Sequence, residues 1–249
     1  MQGIFYGVGV GPGDSELLTL KAMKIIQNCE VLAIAVSDPE LAEPEYEGQG
    51  TESRYPQFLE KCVAYQIVLP VVPDIRTKAK LYLPMPMMKE KERLKAIHDA
   101  CAGKTAEILS AGKNIACITL GDPSVYSTCL YVHKRIRQQG YKTHLVPGIP
   151  SFCAAAARLD MGLVENREEL HVIPASYGIE ESLKLPGTKV LMKTGSKMAD
   201  VKMLLKQGQY QIQMVENCGM ESEKIYQNVE DIPDWAGYYS LLIVKDGKE

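Results

Sequence analysis

Short apolar runs alternate with helical patterns along the chain. The runs at residues 4–10, 31–36 and 115–119 predict buried strands. They are apolar on both faces, as strands of parallel sheets usually are. Between the first two runs, apolar residues spaced through 17–26 predict an amphipathic helix. The chain therefore opens with a strand, a helix and a strand, which favours an α/β fold.

The second half repeats this alternation. Strands are predicted at residues 141–146, 171–174, 188–193, 211–215 and 238–244, and helices at 152–159 and 198–206. Turn residues are densest at 147–151, and no low-complexity linker separates the halves. We expect an N-terminal α/β domain at 1–150 and a C-terminal α/β domain at 151–249. A ligand cleft between them is the economical architecture, because ligand sites favour such interfaces.

The stretch 114–128, NIACITLGDPSVYST, combines a strand with candidate chemistry. The strand breaks at Gly121-Asp122-Pro123, and a helical pattern resumes through Val125 to Ile136, with Pro123 suited to the first helical position. In open α/β sheets, small molecules bind at the carboxyl ends of the strands. The stretch predicts a ligand site with one carboxylate. A plain strand-to-helix turn with an Asp cap is the alternative.

The first glycine-rich turn, GVGVGPGD at 7–14, only partly matches the dinucleotide pattern GxGxxG. Asp14 stands where the third glycine would be, at the helix entrance that must face a pyrophosphate. A carboxylate there would repel a phosphate, so this turn suits a neutral or cationic ligand such as an adenosyl sulfonium. An NAD-dependent oxidoreductase is therefore disfavoured.

Two segments carry opposite charge. Residues 38–53 hold six acidic residues and neither Lys nor Arg, which predicts a solvated loop, with a mobile lid as the alternative. Residues 76–95 hold seven basic and two acidic residues. This second segment is interpreted as the solvent-exposed face of a helix predicted at 89–112, or as a surface that attracts a polyanionic substrate.

Composition narrows the class of protein. With 249 residues, 46% hydrophobic and 24% charged, the chain can bury a core, and its charge of −3 argues against a nucleic-acid binder. The seven scattered cysteines lack CxxC spacing, which predicts reduced thiols in a cytoplasmic protein. The four histidines form no ligand pattern either, so we expect no bound metal. We see no signal peptide, and no apolar run reaches the roughly 20 residues that span a membrane.

Five motifs together resemble the tetrapyrrole (corrin/porphyrin) methyltransferases, which use S-adenosylmethionine. They are GVGVGPGDSELLTLKA at 7–22, LGDPSVYST at 120–128, VPGIPSFCAAA at 146–156, VLMK at 190–193 and ENCGM at 216–220. Within the family, LPMPM at 83–87, LGDPSVYST and PGIPSF look most like the branch that methylates carbon 20 of precorrin-2 in cobalamin biosynthesis. That branch includes the version acting on the cobalt-loaded substrate, cobalt-factor II.

The resemblance implies a homodimer with no protein-bound metal, whose two α/β domains hold the methyl donor. By matching position, the donor site would comprise Pro12, Leu120, Gly121, Asp122, Val125, Ser151, Phe152, Lys193 and Cys218. At Lys193, relatives commonly carry an aromatic residue or methionine. The implied substrate bears many carboxylates, which makes Arg54, Arg76, Lys78 and Lys80 its candidate partners. Tyr126 is a candidate for the step that removes the meso proton, and a packing role is the alternative.

Three other functions stay open at this point. A sister enzyme would methylate another ring position, because positional specificity lies in the shape of the site. A non-catalytic module would bind the donor without turnover, and an NAD enzyme would bind NADH tightly. The sequence does not determine whether the macrocycle carries cobalt.

Overall fold

The computed structural model describes residues 1–50 and 52–247, with the side chain of Ser196 outside the description. The chain divides into two compact units, Met1–Pro150 and Ser151–Glu249. Each unit is built on one β-sheet. The α/β class predicted from the alternating pattern is confirmed.

The first unit contains a six-stranded sheet in the order β3-β4-β2-β5-β1-β6. All neighbouring pairs are parallel except β3 with β4. The strands are β1 (Phe5–Gly9), β2 (Val31–Val36), β3 (Glu45–Glu47), β4 (Ala79–Pro84), β5 (Ile115–Thr119) and β6 (Thr143–Val146). Because five strands run in parallel, their carboxyl ends meet along one edge of the sheet.

Helices cover both faces of this sheet, and a separate apolar core lies on each face. The helices are α1 (Leu20–Asn28), α2 (Pro56–Lys61), α3 (Val63–Val68), α4 (Lys91–Ser110) and α5 (Cys129–Gln138). Thr19 begins α1 by accepting a hydrogen bond from the Ala22 amide. Gly140 follows the end of α5 with a φ of 87°, a conformation that glycine adopts readily.

Two predictions for this unit are wrong in part. Pro123 does not begin a helix: α5 starts only at Cys129, because Tyr126 has a φ of 48° and the chain from Asp122 forms a turn. The basic segment is not one helix face either. Its first part forms β4, whose six residues are all buried, and the helix begins at Lys91.

The second unit has a five-stranded sheet in the order β10-β9-β11-β8-β7. Among the neighbouring strand pairs of this sheet only β7 with β8 is parallel, and β9, β10 and β11 follow one another without a crossover helix. The elements are α6 (Ser151–Arg158), β7 (Leu170–Pro174), α7 (Glu180–Leu183), β8 (Thr188–Met192), α8 (Met198–Leu205), β9 (Tyr210–Glu216), β10 (Lys224–Tyr226) and β11 (Ser240–Asp246). One apolar core lies within this unit.

Candidate active site

Three turns meet at the carboxyl edge of the first sheet. They follow β5, β1 and β6, which are neighbours in the sheet. The first two turns are joined directly: the Gly121 amide donates to the Gly11 carbonyl at 2.7 Å, and the Gly11 amide donates to the Gly121 carbonyl at 3.3 Å. Gly11 and Gly121 have φ values of 83° and 67°, which favour glycine. The motifs at 7–14 and 120–128 therefore form one continuous backbone structure.

Glycines at two further positions allow the third turn to approach. A Cβ on Gly148 would lie 2.1 Å from the carbonyl oxygen of Gly121 and 2.9 Å from the Cα of Gly9. A Cβ on Gly9 would lie 2.5 Å from the same Gly121 oxygen. Backbone therefore packs on backbone here, and any side chain at Gly9 or Gly148 would separate the turns. Gly148 lies in the PGIP motif, but its sequence neighbours alone do not indicate this contact.

The Asp122 side chain links the turn after β5 to the turn after β6 by a hydrogen bond. One carboxylate oxygen, Oδ2, accepts a hydrogen bond from the Gly148 amide at 2.9 Å. The other, Oδ1, accepts from the Ser124 amide at 2.8 Å and from the Ser124 hydroxyl. The residue is 8% exposed. Within this unit the carboxylate therefore holds the backbone of the site in place.

The rest of the loop at 120–128 is only partly covered. Leu120 and Val125 are half-buried, and the Val125 amide donates to the Asp122 carbonyl at 3.2 Å. The hydroxyls of Thr119 and Ser127 lie 2.9 Å apart and close the loop on its strand. Tyr126 has a left-handed backbone and a side chain that is 45% exposed. Such strain in a non-glycine residue is typical of functional loops.

Two residues of the turn after β1, Pro12 and Asp14, do not suit an anion. Pro12 is buried and has no amide hydrogen to donate. Asp14 caps the short 3-10 helix Ser15–Leu17, and its Oδ1 accepts from the Glu16 amide at 2.8 Å. A carboxylate thus occupies the position that a pyrophosphate would need. This geometry further disfavours the dinucleotide alternative.

Four predicted donor residues belong to the second unit. Ser151 and Phe152 are half-buried at the start of α6. Lys193 follows the last residue of β8, and its φ of 59° makes it a left-handed, non-glycine position. Cys218 follows the end of β9 and is 8% exposed. Because β8 and β9 flank β11 and are both antiparallel to it, Lys193 and Cys218 lie at the same edge of the second sheet.

The turn at Cys218 is held by an ion pair that the sequence analysis did not identify. Arg158 of α6 donates from two guanidinium nitrogens to Glu223 Oε1, at 2.8 and 2.6 Å. Glu223 Oε2 accepts from the Gly219 amide at 2.8 Å. The hydrogen bond from Arg158 lowers the pKa of Glu223. Burial, and then the charge of Glu223, raises the pKa of the Cys218 thiol to about 11, so the thiol is neutral near pH 7.

Three of the four predicted substrate cations lie away from Asp122. Arg76 and Lys78 precede β4, and Lys80 is its second residue, so all three lie at the amino edge of the parallel sheet. The Lys78 ammonium donates to the carbonyls of Gln27 and Cys29 at 2.8 and 2.7 Å, at the end of α1.

Lys80 is only 2% exposed and donates to the carbonyls of Arg76 and Lys78, at 2.8 and 3.0 Å. Arg54 differs, with a side chain that is 60% exposed and donates to the Tyr46 carbonyl at 3.0 Å. The observed contacts of Lys78 and Lys80 are with the protein's own backbone.

The acidic segment is more ordered than a solvated loop. Residues 45–47 form β3, and Glu47 is 7% exposed. The Glu47 carboxylate accepts from the Tyr82 hydroxyl at 3.0 Å, from the Ser53 hydroxyl at 2.9 Å and from the Arg54 amide. Burial opposes ionisation of Glu47, but these hydrogen bonds outweigh it and lower its pKa. Through Glu47 and its contact with Tyr82, β3 is thus attached to β4.

No group of three or more His, Cys, Asp or Glu side chains that could hold a metal occurs within residues 1–50 and 52–247. Over the same residues, no helix is long and apolar enough to cross a membrane.

Residues 5–233 match the family model of the Tetrapyrrole (Corrin/Porphyrin) Methylases. The match spans both units and includes the fastened turns and the edge of the second sheet. The chain belongs to this family, and it is an S-adenosylmethionine-dependent C-methyltransferase acting in tetrapyrrole metabolism.

Two related proteins align with nearly the whole chain. It is 32% identical over 243 residues to the "Probable cobalt-precorrin-2 C(20)-methyltransferase" of Methanocaldococcus jannaschii, covering 96% of this chain and 95% of the relative. It is 27% identical over 252 residues to the precorrin-2 C(20)-methyltransferase of a Sinorhizobium species, covering 99% and 97%. The resemblance inferred from the motifs is confirmed.

Among solved structures, the chain is similar to uroporphyrin-III C-methyltransferase of Thermus thermophilus complexed with S-adenosylhomocysteine. The TM-score is 0.65, with 18% identity and coverage of 98% of this chain and 97% of that one. At this identity the likeness shows the shared fold.

Proposed function

We propose that this protein transfers a methyl group from S-adenosylmethionine to carbon 20 of precorrin-2 or of its cobalt-loaded form. The observation that carries the proposal is the near-complete alignment with two relatives named for methylation at this position. One of these names includes cobalt and the other does not, so both substrates are included.

The donor site of this proposal comprises Pro12, Leu120, Gly121, Asp122 and Val125 of the first unit, and Ser151, Phe152, Lys193 and Cys218 of the second. In the first unit, the fastened turns support this assignment. The glycine contacts bring the turns together without side chains between them, and Asp122 places a carboxylate at the sheet edge. A cationic sulfonium fits such a site better than a phosphate does, because Asp14 already occupies the entrance to the first turn.

The chemistry requires positioning above all. The donor supplies a methyl group on a positively charged sulfur, which is displaced in line by an electron-rich ring carbon. Holding the two reactants in line can contribute about 7–11 kcal/mol to lowering the barrier. A rigid backbone such as the Gly11–Gly121 bridge is suited to this task, and the neutral Cys218 thiol is not required as a nucleophile.

Fewer substrate contacts are proposed here than the sequence alone suggested. Among the four predicted cations we keep Arg54 as a partner for a substrate carboxylate, because its side chain is 60% exposed even though its Nε lies 3.7 Å from Glu47 Oε1. Arg76, Lys78 and Lys80 lie at the other edge from Asp122, and the ammonium groups of the two lysines bind backbone carbonyls, so we leave them out. Tyr126 is proposed to assist removal of the meso proton, because it is exposed on a strained loop beside the donor turn.

The test uses the purified chain with S-adenosylmethionine and either precorrin-2 or cobalt-loaded precorrin-2. We expect a mass gain of one methyl group and a change in the absorbance spectrum with one of the two. A donor labelled with 13C on the methyl group would locate the new methyl by NMR. Labelling at a carbon other than 20 would favour a sister enzyme, and donor binding without any turnover would favour a non-catalytic module.

A homodimer is part of the proposal, by likeness to the family. Light scattering on the eluting peak of a size-exclusion column should give twice the 27.6 kDa chain mass. A single-chain mass at micromolar concentration would contradict it.

A further inference from the structure

Thr194 carries a buried hydroxyl that lacks a hydrogen-bond partner. The residue is 1% exposed, and no partner for its Oγ1 occurs among the residues that the structure describes. Buried side-chain hydroxyls are paired in the great majority of folded proteins. The Thr194 hydroxyl is therefore available to pair with a group that is not part of the chain.

The position of Thr194 in the fold points to a ligand site. It lies two residues beyond the end of β8, while Asn217 follows β9 directly and Tyr239 precedes β11. Since β11 is antiparallel to both β8 and β9, these three residues lie at one edge of the second sheet. The Asn217 amide donates to the Tyr239 carbonyl at 3.1 Å and extends the β9–β11 pairing toward this edge.

The backbone at this edge is unusual. Lys193 and Gly195, on either side of Thr194, have φ values of 59° and 38°, and Asn217 and Gly219 have values of 53° and 76°. Left-handed conformations of non-glycine residues cost free energy and are concentrated at ligand sites. Two such positions, Lys193 and Asn217, occur in separate loops of the same sheet edge.

Aromatic side chains are exposed at the same edge. Tyr177, just after β7, is 89% exposed, and Tyr238 and Tyr239, just before β11, are 50% and 37% exposed. The rings of Tyr238 and Tyr239 meet edge to face, with centroids 5.3 Å apart. Because β7 is parallel to β8, Tyr177 belongs to the edge that carries Thr194. Exposed aromatic rings at the sheet edge that carries the hydroxyl suit a flat heterocycle with a polar rim.

We propose that the Thr194 hydroxyl forms a hydrogen bond with the adenosyl group of the methyl donor. This inference rests on the proposed function, which places Lys193 and Cys218 at the same edge. The adenosyl group combines a flat ring with polar atoms on its rim and on the ribose. Because the hydroxyl is buried in the free protein, the short turn Gly195–Lys197 must adjust when the donor binds.

The test compares the full-length parent chain with Thr194→Val and Thr194→Ser, titrated with S-adenosylhomocysteine in a calorimeter. Valine keeps the shape of threonine without the hydroxyl, and serine keeps the hydroxyl. We expect the valine variant to bind on the order of tenfold more weakly. The serine variant should stay within about twofold of the parent, because it retains the hydrogen bond.

A second measurement separates binding from folding. Without ligand, the valine variant should melt at or above the temperature of the parent, because it no longer buries an unpaired hydroxyl. Amide hydrogen exchange at residues 193–198 should slow when the parent binds S-adenosylhomocysteine.

Three results would overturn the assignment. The first is unchanged affinity of the valine variant for S-adenosylhomocysteine. If that variant then showed a raised KM for the macrocycle only, the hydroxyl would be reassigned to the substrate. The second is a valine variant that melts below the parent, since the hydroxyl would then have a partner in the free protein. The third is a serine variant that binds as weakly as valine. If the parent binds S-adenosylhomocysteine but methylates no tetrapyrrole, the proposed function fails while the Thr194 contact stands.

Discussion

Replacing Asp122 with asparagine tests whether its carboxylate holds the site together. The carboxylate accepts hydrogen bonds from the Gly148 amide, the Ser124 amide and the Ser124 hydroxyl. Asparagine can keep the Ser124 contacts with its carbonyl oxygen, but its NH2 group would then face the Gly148 amide. The partly buried Gly148 amide would lose its acceptor, and the remaining hydrogen bonds would no longer be made to a carboxylate.

The magnitude follows from these losses. A hydrogen bond to a charged group contributes about 1.5–3 kcal/mol, so we expect the free energy of unfolding of the first unit to fall by about 2–3 kcal/mol. For a chain of this size that corresponds to a drop in Tm of about 4–12 °C. Affinity for S-adenosylhomocysteine should also fall, because the turns that line the donor site would no longer be fastened.

The assay is differential scanning calorimetry of the full chain, with S-adenosylhomocysteine titration in parallel. Asp14→Asn is the matched control for stability. Asp14 accepts a single hydrogen bond as the cap of a short helix, a position that asparagine fills about as well. If Asp122→Asn melts with the parent and loses only donor affinity, the fastening role is refuted and a direct contact between carboxylate and donor takes its place.

Three further predictions follow from the contacts of other residues. Gly148→Ala should abolish binding of S-adenosylhomocysteine, because its Cβ would lie 2.1 Å from a backbone oxygen. The control Gly103→Ala lies in open space within α4 and should stabilise the chain by about 0.5–1 kcal/mol. A Gly148→Ala protein that binds normally would contradict the close backbone packing. Lys78→Met should lower Tm, because the Gln27 and Cys29 carbonyls at the end of α1 would lose their donor, and should leave KM for the macrocycle unchanged. A raised KM with a normal Tm would instead support a contact between Lys78 and the substrate. The pKa of Glu47 is lowered in the folded state, so its contribution to stability is present above the unfolded-state pKa of about 4.3 and is lost as pH falls through the folded value. Chemical unfolding from pH 3 to 7 should therefore show a smaller loss of stability in acid for Glu47→Gln than for the parent, and equal slopes for the two proteins would argue against this contribution.

Local patterns predicted much of the first sheet. The strand at 31–36 and the strand at 115–119 have the same bounds in the structure as in the prediction, because both are apolar runs bounded by polar residues. The strand β4 escaped prediction, since Lys80 interrupts its apolar run and the surrounding charges indicated a helix face. The burial of Lys80 in this strand depends on the carbonyls of Arg76 and Lys78, which accept hydrogen bonds from its ammonium group in the folded chain.

The sequence by itself determined the α/β class, the glycine-rich turns and the family. These depend on short-range patterns and on short motifs that occur in a fixed order along the chain. Only the tertiary structure decided what Asp122 does, since its partner Gly148 lies 26 residues away and is brought near by the neighbouring positions of β5, β1 and β6. The same holds for the orphaned hydroxyl of Thr194. Whether a polar side chain is paired depends on every segment that packs around it, and no local pattern encodes that.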